Sequence, residues 1–358
     1  MNNFTETDSY IYKLDLKNNL PIAGFDLDYT IICPKFGLFP KDEHDWKYCF
    51  EEIKSKLIDL AKSYNIVIIT NQKKLNQNRD LILTRIINIY NDLVKLNINP
   101  SLLISLKDDN YRKPNTGLWN LLQNFIDIDK SKSFYAGDAA GRKYKRKNDF
   151  SDCDYKFALN NGIDFYTPEK LLNLRDNYIS MELDTLPFKQ YTYLNDNHKY
   201  IPKKYYNKEI VLLSGLPCCG KTNFKNKYFN NYVSFENNNT KKHLKIIQET
   251  INSKSVIIDD YNINKKSREA FINIAKINNI NIRCFYFNID KQLCLHLDNL
   301  RMKLSNGNIL KKNKVIFTNL EKKLETPSLN EGFNSVDFVN FVPEFSSEQH
   351  KELFNQHY

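Results

Sequence analysis

The sequence predicts an α/β protein of two doubly wound parallel-sheet domains, and three observations carry that expectation. At 358 residues the chain exceeds the usual span of one hydrophobic core. In both halves short apolar runs alternate with helical patterns, at spacings that leave room for crossover helices. Between the halves the periodicity lapses through a Tyr/Asn/Lys-rich stretch at 191–208. Taken in order, residues 22–25, 66–70, 102–105, 134–136 and 163–165 read as strands of the first sheet, with helices at 51–63, 75–96 and 116–125 between them. The second series has strands at 209–214, 232–235, 255–258 and 282–287, separated by helices at 221–228, 241–251, 265–277 and 291–304. The expected division is a first domain over 1–185, a connection over 186–207 and a second domain over 208–358, with the aromatic-rich tail 325–358 packed on the second. Ligands of such sheets bind beyond the carboxyl ends of the strands, so chemistry is sought there.

Composition narrows the class of partner and compartment. The net charge of +10 and the pI near 9.0 suit a polyanion, because lysines that neutralise phosphates release condensed counterions. Abundant Asn, Ile, Lys and Tyr are also what an AT-rich genome encodes, so a merely solvated basic surface competes evenly with a binding footprint. A sharper candidate is the run Arg142-Lys143-Tyr144-Lys145-Arg146-Lys147, which sets five cations beside one aromatic. The seven cysteines are odd in number and lack a repeated C-x-x-C spacing, which fits reduced thiols better than a disulfide framework. The first ten residues are polar and acidic where a secretory signal would be apolar, and no later run approaches a membrane span. An intracellular, soluble protein of the nucleus or cytoplasm is expected, a monomer with no membrane partner.

The segment Asp26-Leu27-Asp28-Tyr29-Thr30 leaves an apolar strand and delivers two carboxylates two residues apart. In extended chain such side chains share a face roughly 6–7 Å apart. That spacing divides labour: one carboxylate attacks phosphorus while the other handles the leaving-group proton. Alone the pair is weak evidence, since D-x-D more often marks a solvated loop. Three later features stand where phosphoryl chemistry needs them: Thr70 at a strand end, Lys113 as a compensating cation, and Asp138 after the strand 134–136 as an oxygen ligand for Mg²⁺. Singly these read as a helix cap, a surface charge and a turn residue; jointly, in this order, accident is improbable.

The second half opens with Gly215-Leu216-Pro217-Cys218-Cys219-Gly220-Lys221-Thr222, which satisfies G-x-x-x-x-G-K-[ST] between a strand and a helix. Gly215 and Gly220 let backbone N–H groups wrap a triphosphate, Lys221 reaches the β- and γ-phosphates, and the Thr222 hydroxyl binds Mg²⁺. ATP is therefore the expected nucleotide. Asp259, ending its strand, is placed to act near that metal, with Asp260 as its rival. The adjacent thiols of Cys218 and Cys219 raise oxidant sensitivity of the loop as a further expectation.

Beyond these motifs the wording is dense enough to resemble one family. Phe39-Pro40 with Asp45-Trp46, Thr70-Asn71-Gln72, Tyr111-Arg112-Lys113-Pro114, Gly137-Asp138-Ala139-Ala140-Gly141-Arg142 and Asp149-Phe150-Ser151 resemble the haloacid dehalogenase-type phosphatase domain of polynucleotide kinase 3′-phosphatases. Residues 258–262, 284–287 and 327–333 resemble that family's P-loop kinase domain. The resemblance implies a haloacid dehalogenase-like fold followed by a P-loop kinase. It also implies removal of 3′-phosphates from nucleic-acid ends and addition of 5′-phosphates, with DNA ends as the partner and RNA ends as the alternative. By it Asp26 is the nucleophile and Asp28 the general acid/base. Asp138 binds Mg²⁺ with Asp26 and the Asp28 carbonyl, Thr70 and Lys113 hold the phosphate, and Arg301 is a lid arginine. One departure stands out: Asn238 falls where the family carries an aspartate base, and Glu236 is the carboxylate nearest in sequence to replace it. Only about twenty residues precede the first catalytic strand, so the forkhead-associated module of animal members is not expected.

Overall fold

A computed structural model describes residues 4–73, 78–183, 200–203, 207–236, 241–305 and 308–358. The chain divides into two compact units, the first comprising Met1–Leu186, Ser305–Asn308 and Gln356–Tyr358, the second Pro187–Leu304 and Ile309–Asn355. The expected connection over 186–207 falls largely outside the described residues.

The first unit runs β1 (Thr5–Glu6), β2 (Tyr10–Lys13), β3 (Ile22–Phe25), β4 (Ile32–Cys33), β5 (Lys47–Tyr48), α1 (Ile53–Leu60), β6 (Asn65–Asn71), α2 (Arg79–Lys95), β7 (Ser101–Ser105) and α3 (Gly117–Gln123). It continues through β8 (Phe134–Ala136), β9 (Arg142–Lys143), α4 (Cys153–Asn161), β10 (Asp164–Tyr166), α5 (Pro168–Leu171) and β11 (Ser180–Met181). Its main sheet has the order β1-β2-β7-β6-β3-β8-β10. From β7 to β10 all neighbours are parallel, and the hairpin β1/β2 adds an antiparallel edge. The five parallel strands are the ones read from the sequence; the hairpin was missed because two- and four-residue strands show no readable alternation. Every residue of β3, β7 and β8 is buried, as is β6 up to Thr70, which is why they appear as near-continuous apolar runs. One face packs on α1 and α2 through Leu57, Ile82, Ile86 and Ile89, the other on α3 and α4 through Leu118, Trp119 and Phe157.

In the second unit come β12 (Glu209–Gly215), α6 (Lys221–Tyr228), β13 (Val233–Phe235), α7 (Lys241–Thr250), β14 (Val256–Asp259), α8 (Lys265–Ile277), β15 (Asn281–Phe287), α9 (Lys291–Leu304), α10 (Lys314–Glu321), β16 (Ser335–Val339) and α11 (Glu348–Phe354). The sheet order β13-β14-β12-β15-β16 is parallel throughout. Four of these strands match the sequence reading. The fifth, β16, lies in the tail, which contributes a strand and α11 to this unit while Gln356–Tyr358 group with the first. All seven cysteines are free thiols.

The core of the second unit encloses paired charges, the most deeply buried pair being Arg283 with Glu209. Arg283 on β15 forks onto Glu209 on β12 at 2.6 Å through both Nε and Nη2, and Tyr232 donates to the same carboxylate. Both side chains are buried. Removing one partner strands the other charge away from water, so Glu209→Ala should destabilise this unit by about 3–5 kcal/mol. Urea denaturation measures it; a change below about 1 kcal/mol would show that solvent reaches Arg283.

Candidate active sites

The first site assembles at the carboxyl ends of β3, β6 and β8. Asp26 follows β3, and its N–H donates to the Ala136 carbonyl at 2.9 Å, which keeps it in register with β8. Asn71, ending β6, clamps the backbone of Lys113 at both ends, accepting from its N–H at 3.0 Å and donating to its carbonyl at 3.1 Å. Lys113 is thereby delivered into the interior, where Nζ donates to Asp26 Oδ1 at 2.6 Å, Tyr135 Oη at 2.7 Å and Asp154 Oδ1 at 2.8 Å. These three bonds use all three ammonium protons. Burial alone would pull Lys113 down, but Asp154 and Asp26 outweigh it and hold its pKa well above the ordinary value. The bland reading of Lys113 as a surface charge is thus removed.

Asp154, at the start of α4, was not singled out from the sequence. It is fully buried; its Oδ2 accepts from the Ala139 N–H at 3.1 Å, and its own N–H donates to the Ala139 carbonyl. Gly137 makes this approach possible: a Cβ there would lie 2.4 Å from Asp154 Oδ2. Asp138 in turn is held by its N–H, which donates to Thr30 Oγ1 at 3.0 Å. Asp26, Asp138 and Asp154 offer ligand oxygens within 4.8 Å of one another. Burial raises Asp26 to about 7, with Lys113 opposing and Asp154 and Asp28 adding to the rise. Burial likewise raises Asp138 to about 8, reinforced by Asp26 and Asp154. Three crowded carboxylate oxygens, with Asp26 and Asp138 resisting ionisation, fit a hard divalent cation such as Mg²⁺.

Asp28 stands apart from that trio. Its Oδ1 accepts from Nη1 and Nη2 of Arg85 on α2, both at 3.0 Å, and its Oδ2 from Gln72 Nε2 at 2.6 Å. Gln72 also donates to Thr70 Oγ1 at 3.0 Å, which leaves the Thr70 hydroxyl proton available to an outside acceptor. Arg85 carried a signal that the sequence reading passed over. It lies among Ile82, Ile86 and Ile89 on the apolar face of its helix, where an isolated charge requires a partner.

The basic run needs one correction. Arg142 is no surface cation: it is 4% exposed and bonds Asp149, Glu169 and Asp176 at 2.7–2.9 Å. Lys145, Arg146 and Lys147 are exposed.

In the second unit, β12 ends in the phosphate-loop sequence and α6 begins at Lys221. Gly220 takes φ +96° just before the helix, a backbone state that a side chain would strain. Lys221 Nζ donates to the carbonyls of Gly215 and Leu216 at 2.9 and 2.6 Å. Thr222 Oγ1 donates to Asp259 Oδ2 at 2.9 Å, whereas Asp260 accepts from the N–H of Tyr261. Of the two rival aspartates, Asp259 is therefore the one in contact with the loop. Lys225 joins Asp259 at 2.9 Å to Glu236 at 3.2 Å, so Glu236 is drawn to this end of the sheet. Arg301 on α9 donates to Asp298 Oδ1 at 2.7 Å, an oxygen that also accepts from Cys218. Burial, reinforced by Asp298, pushes the Cys218 thiol up to about 12, which disfavours the thiolate that oxidation requires. Asn238 lies outside the described residues.

The raised carboxyls make a metal test possible. Folded-state values above the ordinary 3.8 mean that the metal-free fold retains protons which the unfolded chain releases. That stabilising contribution is complete below about pH 4 and is lost as the pH rises through about 7–8. A cation replaces those protons, so the melting-temperature gap between Mg²⁺-loaded and chelated protein should widen from pH 6 to pH 8. At a hundredfold excess of Mg²⁺ over its dissociation constant, the gain is about 2.7 kcal/mol. A gap that is equal at both pH values, or unchanged in Asp138→Asn, would count against these acids as the binding site.

The family model described as polynucleotide kinase 3 phosphatase matches residues 21–172, which include Asp26, Lys113, Asp138 and Asp154. A protein of Acanthamoeba polyphaga mimivirus assigned as a bifunctional polynucleotide phosphatase/kinase is 33% identical over 393 residues, covering 94% of this chain and 89% of that protein. The bifunctional polynucleotide phosphatase/kinase of Schizosaccharomyces pombe is 32% identical over 348 residues, covering 94% of this chain and 84% of that protein. The polynucleotide 3′-phosphatase of Arabidopsis thaliana is 34% identical over 174 residues, 43% of this chain and 24% of that protein. With identities of 32% and 33% sustained across 94% of its length, the chain belongs to the bifunctional polynucleotide phosphatase/kinase family.

Proposed function

We propose that this enzyme restores ligatable nucleic-acid ends, hydrolysing 3′-phosphates in residues 1–185 and phosphorylating 5′-hydroxyls with ATP in residues 208–358. The observation that carries the reading is the convergence of Asp26, Lys113, Asp138 and Asp154 at one sheet end, with Asp28 held beside them. Asp26 attacks phosphorus, the P–O3′ bond breaks, and Asp28 delivers a proton to the departing oxygen to give a 3′-hydroxyl. Water then attacks the aspartyl-phosphate and loses its proton to Asp28; inorganic phosphate leaves and Asp26 is regenerated. Mg²⁺ held by Asp26, Asp138 and Asp154 would supply charge neutralisation for the phosphoryl group. Lys113 offsets the charge of Asp26 throughout, and Thr70 donates its free proton to a phosphoryl oxygen. The exposed Lys145, Arg146 and Lys147, seven to nine residues past Asp138, are suited to the phosphates upstream of the reacting end. In the second unit Lys221, Thr222, Asp259 and the backbone from Gly215 to Gly220 would hold ATP and its Mg²⁺, and Arg301 would meet the transferring phosphate once released from Asp298.

A second reading keeps the phosphatase alone, because Asn238 replaces an acid at the position expected for a base, at a cost on the order of 10²–10⁴ in rate. One assay separates the two: an oligonucleotide bearing 3′-phosphate and 5′-hydroxyl ends, with Mg²⁺ and ATP, scored for both changes. The first reading expects both. Loss of 3′-phosphate without 5′-labelling selects the second, and faster turnover of sugar or nucleotide monophosphates than of the oligonucleotide would overturn both. Asp26→Asn should abolish 3′-phosphate release and spare 5′-labelling; Lys221→Ala should do the reverse. Substantial residual release in Asp26→Asn would mean a different nucleophile.

A further inference from the structure

Four arginines are buried among the described residues, and they differ in what they are bonded to; Arg142 meets three carboxylates and the Asp138 carbonyl. Arg283 and Arg268 each fork onto a buried glutamate, one nitrogen to each carboxylate oxygen, and both are tied to main-chain carbonyls as well. Arg85 does neither. Both its terminal nitrogens converge on a single oxygen, Asp28 Oδ1, while its buried Nε has no hydrogen-bond partner. The carboxylate it holds is 31% exposed, against 3% for the guanidinium. The cation is thus sunk in an apolar helix face and the acid stands at the edge of the site.

Stability does not account for this arrangement. Desolvating a guanidinium costs several kcal/mol, and a partner that remains partly in water returns less of it than a buried one. An apolar side chain among Ile82, Ile86 and Ile89 would serve the fold as well or better. What the arrangement does supply is orientation. With Oδ1 gripped by the fork and Oδ2 by Gln72, the Asp28 carboxyl has both oxygens tethered and its plane fixed. A short side chain two residues from the nucleophile would otherwise rotate freely about its exposed side.

We propose that Arg85 is a positioning residue for the proton transfer by Asp28, holding that carboxyl in line with the oxygen that leaves phosphorus. The inference rests on the phosphatase reading above, in which Asp28 is the acid. Its consequence depends on the leaving group. A 3′-oxygen leaves as an alkoxide and needs the proton; p-nitrophenolate is stable as an anion and does not. A residue that only supports the fold slows both substrates alike, whereas one that aims the acid slows the alkoxide substrate alone.

The test compares kcat/KM, which reports the steps through departure of the leaving group, on a 3′-phosphoryl oligonucleotide and on p-nitrophenyl phosphate. Arg85→Met should lower the first by roughly 10- to 100-fold and the second by less than about 3-fold, with the melting temperature unchanged or raised. Arg85→Lys, which keeps a cation but not the fork, should fall between wild type and Arg85→Met on the oligonucleotide. The double variant Asp28→Asn/Arg85→Met should be no slower on that substrate than Asp28→Asn alone. Equal losses on both substrates, or no loss on either, would overturn the inference. Asp28→Asn by itself distinguishes the two levels. If it discriminates between the substrates and Arg85→Met does not, the positioning role alone is wrong; if it slows both equally, the acid assignment beneath it is wrong as well.

Discussion

A lysine ammonium with no access to water organises the proposed phosphatase site. Lys113 can be buried because Asp26, Asp154 and Tyr135 take its three protons, and removing any one of them would leave a charge or a donor uncompensated in the interior. The arrangement works in both directions. Lys113 makes it tolerable to bring Asp26 and Asp154 together, and their two charges keep Lys113 protonated. Asp138, outside this bonding, is left with the raised carboxyl that a divalent cation would relieve. The Asn71 clamp on the Lys113 backbone and the space left by Gly137 exist to let these groups meet.

The proposed nucleophile and the proposed acid, two residues apart, are placed in different surroundings by this frame. Asp26 is covered, faces an ammonium and shares its space with two other acids. Asp28 meets a guanidinium and an amide at the edge of solvent. Such divergence lets adjacent carboxylates take different chemical roles. The hydrogen-bond chain Arg85–Asp28–Gln72–Thr70 also links the proposed proton donor to the proposed phosphate-binding hydroxyl, so one side of the site is positioned as a unit. In the second unit Thr222–Asp259–Lys225–Glu236 forms a comparable chain at the carboxyl ends of β13 and β14. Both follow from the geometry of parallel sheets, where strand ends bring side chains from distant sequence positions to one edge.

Sequence alone showed the five parallel strands of the first sheet and four of the five in the second, and it pointed to Asp26, Asp28, Thr70, Lys113 and Asp138 as one candidate group and to Gly215, Gly220, Lys221, Thr222 and Asp259 as another. These are local signals: apolar runs are visible because both sheet faces are covered, and the phosphate loop is a contiguous backbone conformation. Tertiary structure decided which of several like residues fills each place. Asp149, Asp152 and Asp154 stand within six residues of one another, yet Asp149 turns to Arg142, Asp152 to Lys156, and Asp154 enters the site. Likewise Arg142 reads as part of a cationic run but is withdrawn by three carboxylates, two of them from positions 169 and 176. Arg85 finds Asp28 across 57 residues. Charge and spacing cannot resolve such choices, because a charged side chain can be buried only where its partner is, and that location is a property of the folded chain.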